Sequence, residues 1–234
     1  VALTIIDLMG ARVGSERLLP PLVPAAVHTS ESFHVSQGKM FPAEQILVAG
    51  ASHKRKAEFS TVRGCARNAL SLLDIPPAPI LRGPGGAPVW PEGIVGSMTH
   101  CRNYCAAAVA SASAITAIGI DAEPAQQLPA GVLNLVAGGA EQEAITSLAL
   151  ANPTIHWDRL LFCVKEAVYK AWYPLTGLWI GFLEAVAELH TDGRFTVHII
   201  SAKDFDLDMT FWEGTWIQSE GLLVAASVRL PAPS

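Results

Sequence analysis

The sequence predicts an α+β protein of two pseudo-duplicated halves, each a small antiparallel sheet packed on one long helix, with the ligand site at their interface. Three observations predict it. Each half contains one segment with a helical apolar period. Short apolar runs separated by Gly, Pro and Asp turns surround both segments. The seam at about 110–118 holds no flexible linker, so the halves, 1–112 and 113–234, pack as a single compact unit, and a ligand site at such a junction is a common arrangement. No residue-level repeat relates them.

The elements follow in order. Up to Pro42, Gly10, Gly14, Pro20, Pro21, Pro24 and Gly38 punctuate short apolar runs such as Leu22 to Val27, which reads as short strands and loops. From Pro42 to Asp74 the period turns helical: Phe59, Val62, Ala66, Leu70 and Leu73 form one stripe, edged by Lys56, Arg63 and Arg67. The run ILRGPGGAPVWP, 80–91, suits a stiff loop whose backbone approaches a ligand closely. A strand near Gly93 to Thr99 follows, then an apolar hairpin of Cys105–Ala112 and Ala114–Ile120, closed by Pro124 in GIDAEP. Asp121 and Glu123, two apart on that strand, share a face. After a softer helical or loop stretch from Leu128 to Ala151, Asp158 caps a helix that Pro174 ends. Its apolar stripe is Leu161, Val164, Val168 and Ala171, with Phe162, Glu166 and Lys170 on the opposite face. The last third reads as a meander: 184–189, 195–200, 210–218 and 222–228, with turns at Thr191-Asp192-Gly193 and Glu220-Gly221.

Composition narrows the function. At 50% apolar and 16% charged residues, the chain folds rather than remaining disordered. No apolar run reaches the about 18 residues of a membrane span, and Val1 to Met9, which contains Asp7 and no basic start, is not a secretory signal. Cys65, Cys101, Cys105 and Cys163 are too few for a disulfide scaffold, which points to a reducing cytoplasm; Cys101 and Cys105 read as free buried thiols. The net charge is -5, with bases concentrated before residue 121 and acids after it. The cluster Lys54, Arg55, Lys56, Arg63 and Arg67 is a local anion site, not a nucleic-acid surface.

Asp121, Glu123 and Glu166 are hard oxygen ligands suited to Mg2+ or Mn2+. Lys165 and Lys170 beside them fit a metal that bridges a phosphate, which points to phosphoryl chemistry. With KRKAEFSTVRGCARNAL, ILRGPGGAPVWP and GSMTHC in the same order, the pair GIDAEP and FCVKEAVYKAW resembles the 4'-phosphopantetheinyl transferases. The likeness is to their monomeric Sfp/EntD-like group and its PptT-type branch, over roughly 41–182.

That resemblance implies transfer of the phosphopantetheine arm of coenzyme A to a serine of an apo acyl or peptidyl carrier protein, releasing adenosine 3',5'-bisphosphate. It implies Asp121, Glu123 and Glu166 as Mg2+ ligands, Glu123 or Ala122 through water, and Glu166, Lys170 and Asp121 as catalytic. A metal-bound carboxylate is a weak base, so a metal-bound water or an outer-shell Glu166 is the alternative. Lys165 and Lys170 match phosphate contacts; Arg55, Arg63 and His100 match 3'-phosphate contacts, beside Thr99. Arg82 with the Gly83, Gly86 and Pro88 backbone matches the adenine loop, where Pro84, Gly85 and Gly86 replace a residue that relatives often charge. One chain supplies both halves of the site, so a monomer is expected, and the basic N-terminal half or the loop Leu128 to Gly139 is expected to meet the acidic carrier. The rival readings are a Mg-dependent phosphohydrolase acting on such pyrophosphates and a silent coenzyme A or carrier binder.

Overall fold

The computed structural model describes residues 17–202 and 207–232, so the readings of Val1–Met9, Gly10 and Gly14 lie outside it. Two antiparallel sheets organise the α+β fold. The first contains β1 (His28–Ser32), β2 (Ile94–Cys101) and β3 (Tyr104–Ser111) in the order β1-β3-β2. The second contains β4 (Ala117–Pro124), β5 (Ala185–Leu189), β6 (Arg194–Ile199), β7 (Phe211–Ser219) and β8 (Leu222–Arg229) in the order β4-β8-β7-β6-β5. Among the helices, α1 is Pro42–Leu47, α2 His53–Ser71, α3 Leu133–Val136, α4 Gly139–Ala151 and α5 Trp157–Thr176. The long helices α2 and α5 each cover one sheet.

Both long helices bury the stripes that their periodicity predicts, Phe59, Val62, Ala66 and Leu70 on α2, and Leu161, Val164, Val168 and Ala171 on α5, except Leu73, which lies beyond the end of α2 and is only partly buried. Gly119 sets how closely α5 approaches β4. A Cβ there would stand 1.8 Å from the Ala167 carbonyl oxygen, so only a bare backbone lets the helix rest on the strand. This contact brings Glu166 and Lys170 beside Asp121.

Four local expectations are corrected. The single helix 42–74 is two: α1 stops at Leu47, and α2 restarts after Ser52, whose Oγ accepts from Arg55 N at 3.3 Å. The apolar hairpin does not form, because β3 is the middle strand of its sheet, with β1 on one side and β2 on the other, leaving no free edge for β4. β4 pairs with β8 instead. Pro174 sits inside α5, where loss of one backbone donor in the final turn is tolerated; the left-handed Gly177 (φ 67) ends the helix. Asp158 does not cap α5 but lies in its first turn, accepting from Leu128 N at 2.7 Å.

Where the sheets meet, β2 lies along β4 without a main-chain ladder. Two hydroxyls of β2 stand in for it: Ser97 Oγ accepts from Ile120 N and Thr99 Oγ1 from Ala122 N, each at 3.1 Å. Among the described residues no helix is long and apolar enough to cross a membrane.

Candidate active site

A cavity of about 460 Å3 opens at this seam, lined from the first half by α2, the loop 82–88 and β2, and from the second by β4 and α5. Of the residues expected at the site, Arg55, Arg63, Arg82, Gly86, Pro88, Thr99, His100, Asp121, Glu123, Glu166 and Lys170 line it. Phe59, Phe162, Tyr169 and Tyr173 provide its apolar walls.

One end is cationic. Arg55 Nη1 donates to His100 Nε2, so that ring nitrogen accepts and the neutral imidazole carries its proton on Nδ1. Burial, helped by the Arg55 charge, pushes the imidazole pKa down and keeps the ring neutral. Arg63 is 5% exposed, donates to Ile80 O at 2.9 Å and stacks over Phe59 at 3.3 Å. Its pKa is lowered to about 10, chiefly by burial, with Arg82, Arg67 and Arg55 adding repulsion against the attraction of Glu44. At neutral pH it stays a cation, and an anion placed there would relieve this repulsion.

The loop beside it is braced by its own backbone. Gly83 N donates to Ala87 O at 2.8 Å, Gly86 N to Gly83 O at 3.1 Å, and Arg82 pairs with Pro88 in a single antiparallel bridge. Gly85, at φ 63, lies so close to Tyr173 that a Cβ would stand 2.2 Å from the ring. The loop thus reaches across the seam to α5.

The other end is a carboxylate cluster with one cation. Lys170 Nζ lies 2.6 Å from Asp121 Oδ1, which also accepts from Thr99 Oγ1 at 3.0 Å. Burial would discharge Lys170, but the charge and hydrogen bond of Asp121, with the Glu166 charge, prevail and raise its pKa. Burial and then Asp121 raise the pKa of Glu166; the same two causes raise that of Glu123 against the opposing Arg159.

Asp121 Oδ2 is buried with no hydrogen-bond partner. The neighbouring Cys163 thiol donates to Leu223 O, 3.7 Å away, and stands near enough to Asp121 that the carboxylate helps burial to raise its pKa. Glu166, too, has no hydrogen bond or ion pair among the described residues. These two hard oxygen donors fit a divalent cation. Glu123 does not stand ready with them, because Arg159 Nη1 holds its Oε2 at 2.9 Å. Among the described residues no three His, Cys, Asp or Glu side chains form a group that could hold a metal, so the three-carboxylate set is not assembled in this arrangement.

Lys165 departs from expectation. It is 3% exposed, does not line the large cavity, and is bonded within the protein to Val136 O, Phe182 O and Glu141. Gly83 does not line the cavity and belongs to the loop's brace. Sequence reading missed three residues: Glu44, Glu141 and Arg159. Buried Glu44 accepts from Phe41 N, Ile80 N and Arg67, fastening α1, α2 and the loop's start. Its place in the first turn, three residues after Phe41 and two after Pro42, is the one local signal that could have revealed it. Arg67 is thereby an anchor of the cationic end. The four cysteines are free thiols, Cys101 partly buried and the rest buried.

Comparison with known proteins gives a consistent result. Residues 43–110 match the family model described as the 4'-phosphopantetheinyl transferase N-terminal domain, and 117–226 match that of the 4'-phosphopantetheinyl transferase superfamily. The chain is similar to 4'-phosphopantetheinyl transferase Svp of Streptomyces mobaraensis, at 48% identity covering 83% of this chain and 80% of that one. It is 45% identical to 4'-phosphopantetheinyl transferase PptT of Mycobacterium tuberculosis, over 80% and 85% of the two chains. For 4'-phosphopantetheinyl transferase Npt of Nocardia iowensis the identity is 39%, over 89% and 98%.

Proposed function

This chain belongs to the 4'-phosphopantetheinyl transferase superfamily, and on that premise we propose how its own residues carry the transfer. The enzyme moves the phosphopantetheine arm of coenzyme A to a serine of an apo acyl or peptidyl carrier protein, releasing adenosine 3',5'-bisphosphate. One observation carries the assignment of roles: a single cavity has a cationic end from one half and the Lys170–Asp121 pair, with an unpartnered Asp121 oxygen, from the other. Coenzyme A has a 3'-phosphate and a separate pyrophosphate, and therefore needs two anion sites.

Arg55, Arg63 and His100 take the 3'-phosphate, with His100 a neutral donor from Nδ1 or a relay for Arg55. The loop 82–88 receives the adenine through backbone and Arg82. Lys170, kept charged by Asp121, neutralises the reacting phosphate as the bond from carrier serine oxygen to phosphorus forms and that to the leaving adenosine 5'-phosphate oxygen breaks. Glu166, unpartnered and raised in pKa by burial, accepts the serine proton. Asp121, joined by Glu123 if Arg159 releases it, would hold Mg2+ or Mn2+ directly, with Glu166 in the outer shell where its basicity is kept; the metal would supply charge neutralisation at the pyrophosphate. Because both ends of the cavity come from one chain, a monomer suffices; free thiols and a cytosolic co-substrate fit a cytoplasmic setting.

The test is incubation with coenzyme A, Mg2+ and a purified apo acyl carrier protein, read by intact mass of the carrier. A phosphopantetheine-sized gain is expected for the wild type and not for Glu166→Gln or in EDTA. Release of pantetheine phosphate without a carrier would favour hydrolysis, and tight coenzyme A binding with no gain on any carrier would favour a silent binder.

A further inference from the structure

Lys165 precedes Glu166 by one residue and therefore points about 100° away around α5. Its ammonium has three N–H donors. They go to Val136 O (2.7 Å), Phe182 O (2.9 Å) and Glu141, 2.8 Å from Oε1 and 2.9 Å from Oε2. Nothing is left over for a ligand. Glu141 is equally committed: Oε2 accepts from Gly138 N and Oε1 from Ala187 N, both at 2.8 Å. This one pair ties together the end of α3, the start of α4, α5, the turn Phe182–Glu184 and β5.

What it ties down is a wall of the site. Phe182 stacks on Phe162 with centroids 5.3 Å apart, and Phe162 lines the large cavity. Trp179 meets Tyr169 edge-on at 5.0 Å. A side cavity of about 140 Å3 runs between these groups, is lined by Lys165 as well, and shares Glu166 and Tyr169 with the main one.

We propose that Lys165 and Glu141 form an internal latch that holds the segment 179–187 against α5 and so positions the wall facing Glu166 and Tyr169. Lys165 is then a positioning residue: its side chain lines the side cavity, but its ammonium is committed to acceptors within the protein and not to a phosphate. A buried ion pair adds little stability over apolar packing, but it enforces register, because three acceptors from separate segments must converge on one nitrogen. The inference rests on the reading of the cavity as the coenzyme A site.

The experiment combines hydrogen–deuterium exchange of the whole protein with carrier-transfer kinetics for Lys165→Met, Glu141→Gln and the double variant. In Lys165→Met, exchange is expected to quicken in 134–142 and 178–188 and stay unchanged in 94–124. Its kcat is expected to fall about tenfold, with affinity for coenzyme A held within about twofold. Adding Glu141→Gln removes the stranded carboxylate and is expected to recover part of both losses; Glu141→Gln alone, which preserves volume, is expected to give the same pattern in milder form. The latch is overturned if Lys165→Met weakens coenzyme A binding about tenfold with no local change in exchange and no recovery in the double variant, the behaviour of a phosphate contact. It is overturned too if exchange rises evenly along the chain, because the pair would then be a general stabiliser. If the wild type transfers nothing to any carrier, the assigned reaction fails, and the exchange pattern alone decides the latch.

Discussion

Asp121 divides its two oxygens between different tasks. Oδ1 is saturated by Lys170 and Thr99, which fixes the carboxylate, whereas Oδ2 is buried without a partner. A buried acceptor left unpaired costs about 1–3 kcal/mol, a cost that a cation or a ligand donor would remove. At the opposite end His100 makes a testable pH signature. Burial first, then Arg55 and Lys170, lower its pKa against the pull of Glu58 and a backbone hydrogen bond. The folded state thus binds the His100 proton less readily than the unfolded state, whose imidazole titrates near about 6.5. The neutral ring's contribution to stability is therefore fully present above that pH and is lost as pH falls toward the depressed folded value. Melting temperature is expected to drop between about pH 7.5 and about pH 5.5 in the wild type and to drop less in His100→Gln; equal slopes would mean that His100 is not the group titrating. Several of these residues were legible in sequence for a simple reason. Period two on a strand puts Asp121 and Glu123 on one face, and spacing of four on a helix puts Phe162, Glu166 and Lys170 on another. The same arithmetic turns Lys165 away, but its adjacency to Glu166 in the motif obscured that. Glu44, Glu141 and Arg159 left little trace, because each has partners remote in sequence, both side chains and backbone groups, that no local pattern encodes.

Elements were readable where periodicity is long, as in α2, α5 and the C-terminal meander, and unreadable where tertiary pairing decides. Nothing in the apolar run of β3 reveals that both its edges are taken, and nothing local in Pro174 says that the last turn of α5 will tolerate it. The break between α1 and α2 went unread because the apolar stripe that marks the helix begins only at Phe59, inside α2, and says nothing about the residues before it. Glycine separates these cases at the level of elements. Gly119 lies where α5 rests on β4, with the Ala167 oxygen 1.8 Å and Ala171 N 2.7 Å from a would-be Cβ, both backbone atoms unable to swing aside. Gly119→Ala is expected to lower stability by about 3 kcal/mol and to slow transfer, because the helix carrying Glu166 and Lys170 must lift from the strand carrying Asp121. Gly64, in the middle of α2 with nothing within 4 Å, is the counter-case. Gly64→Ala is expected to raise stability by about 0.5–1 kcal/mol and to leave transfer rates alone. Urea unfolding and initial rates on both variants check this, and equal effects would mean that close packing at Gly119 does not set the position of α5.

At the scale of the molecule the site exists because two sheets meet without merging. Arg55, Arg63 and His100 belong to the half that ends with β3, and Asp121, Glu166 and Lys170 to the half that begins with β4. Their relative placement therefore depends on the β2–β4 seam. That seam has no main-chain ladder; the Ser97 and Thr99 hydroxyls accept from Ile120 N and Ala122 N in its place. Both are interior, and removing either hydroxyl strands a buried N–H at about 1–3 kcal/mol. Ser97→Ala and Thr99→Val are thus expected to destabilise the protein by similar amounts in urea. Their effects on transfer should differ. Thr99 Oγ1 also donates to Asp121 Oδ1 at 3.0 Å, sharing that oxygen with Lys170, so its loss lets the carboxylate turn and is expected to cost about tenfold in transfer rate. Ser97 has no such second bond to the carboxylates, and its removal is expected to lower the rate less than that. If the two variants slow transfer equally, the seam acts only by holding the halves in register, and the orientation of Asp121 must come from Lys170 alone.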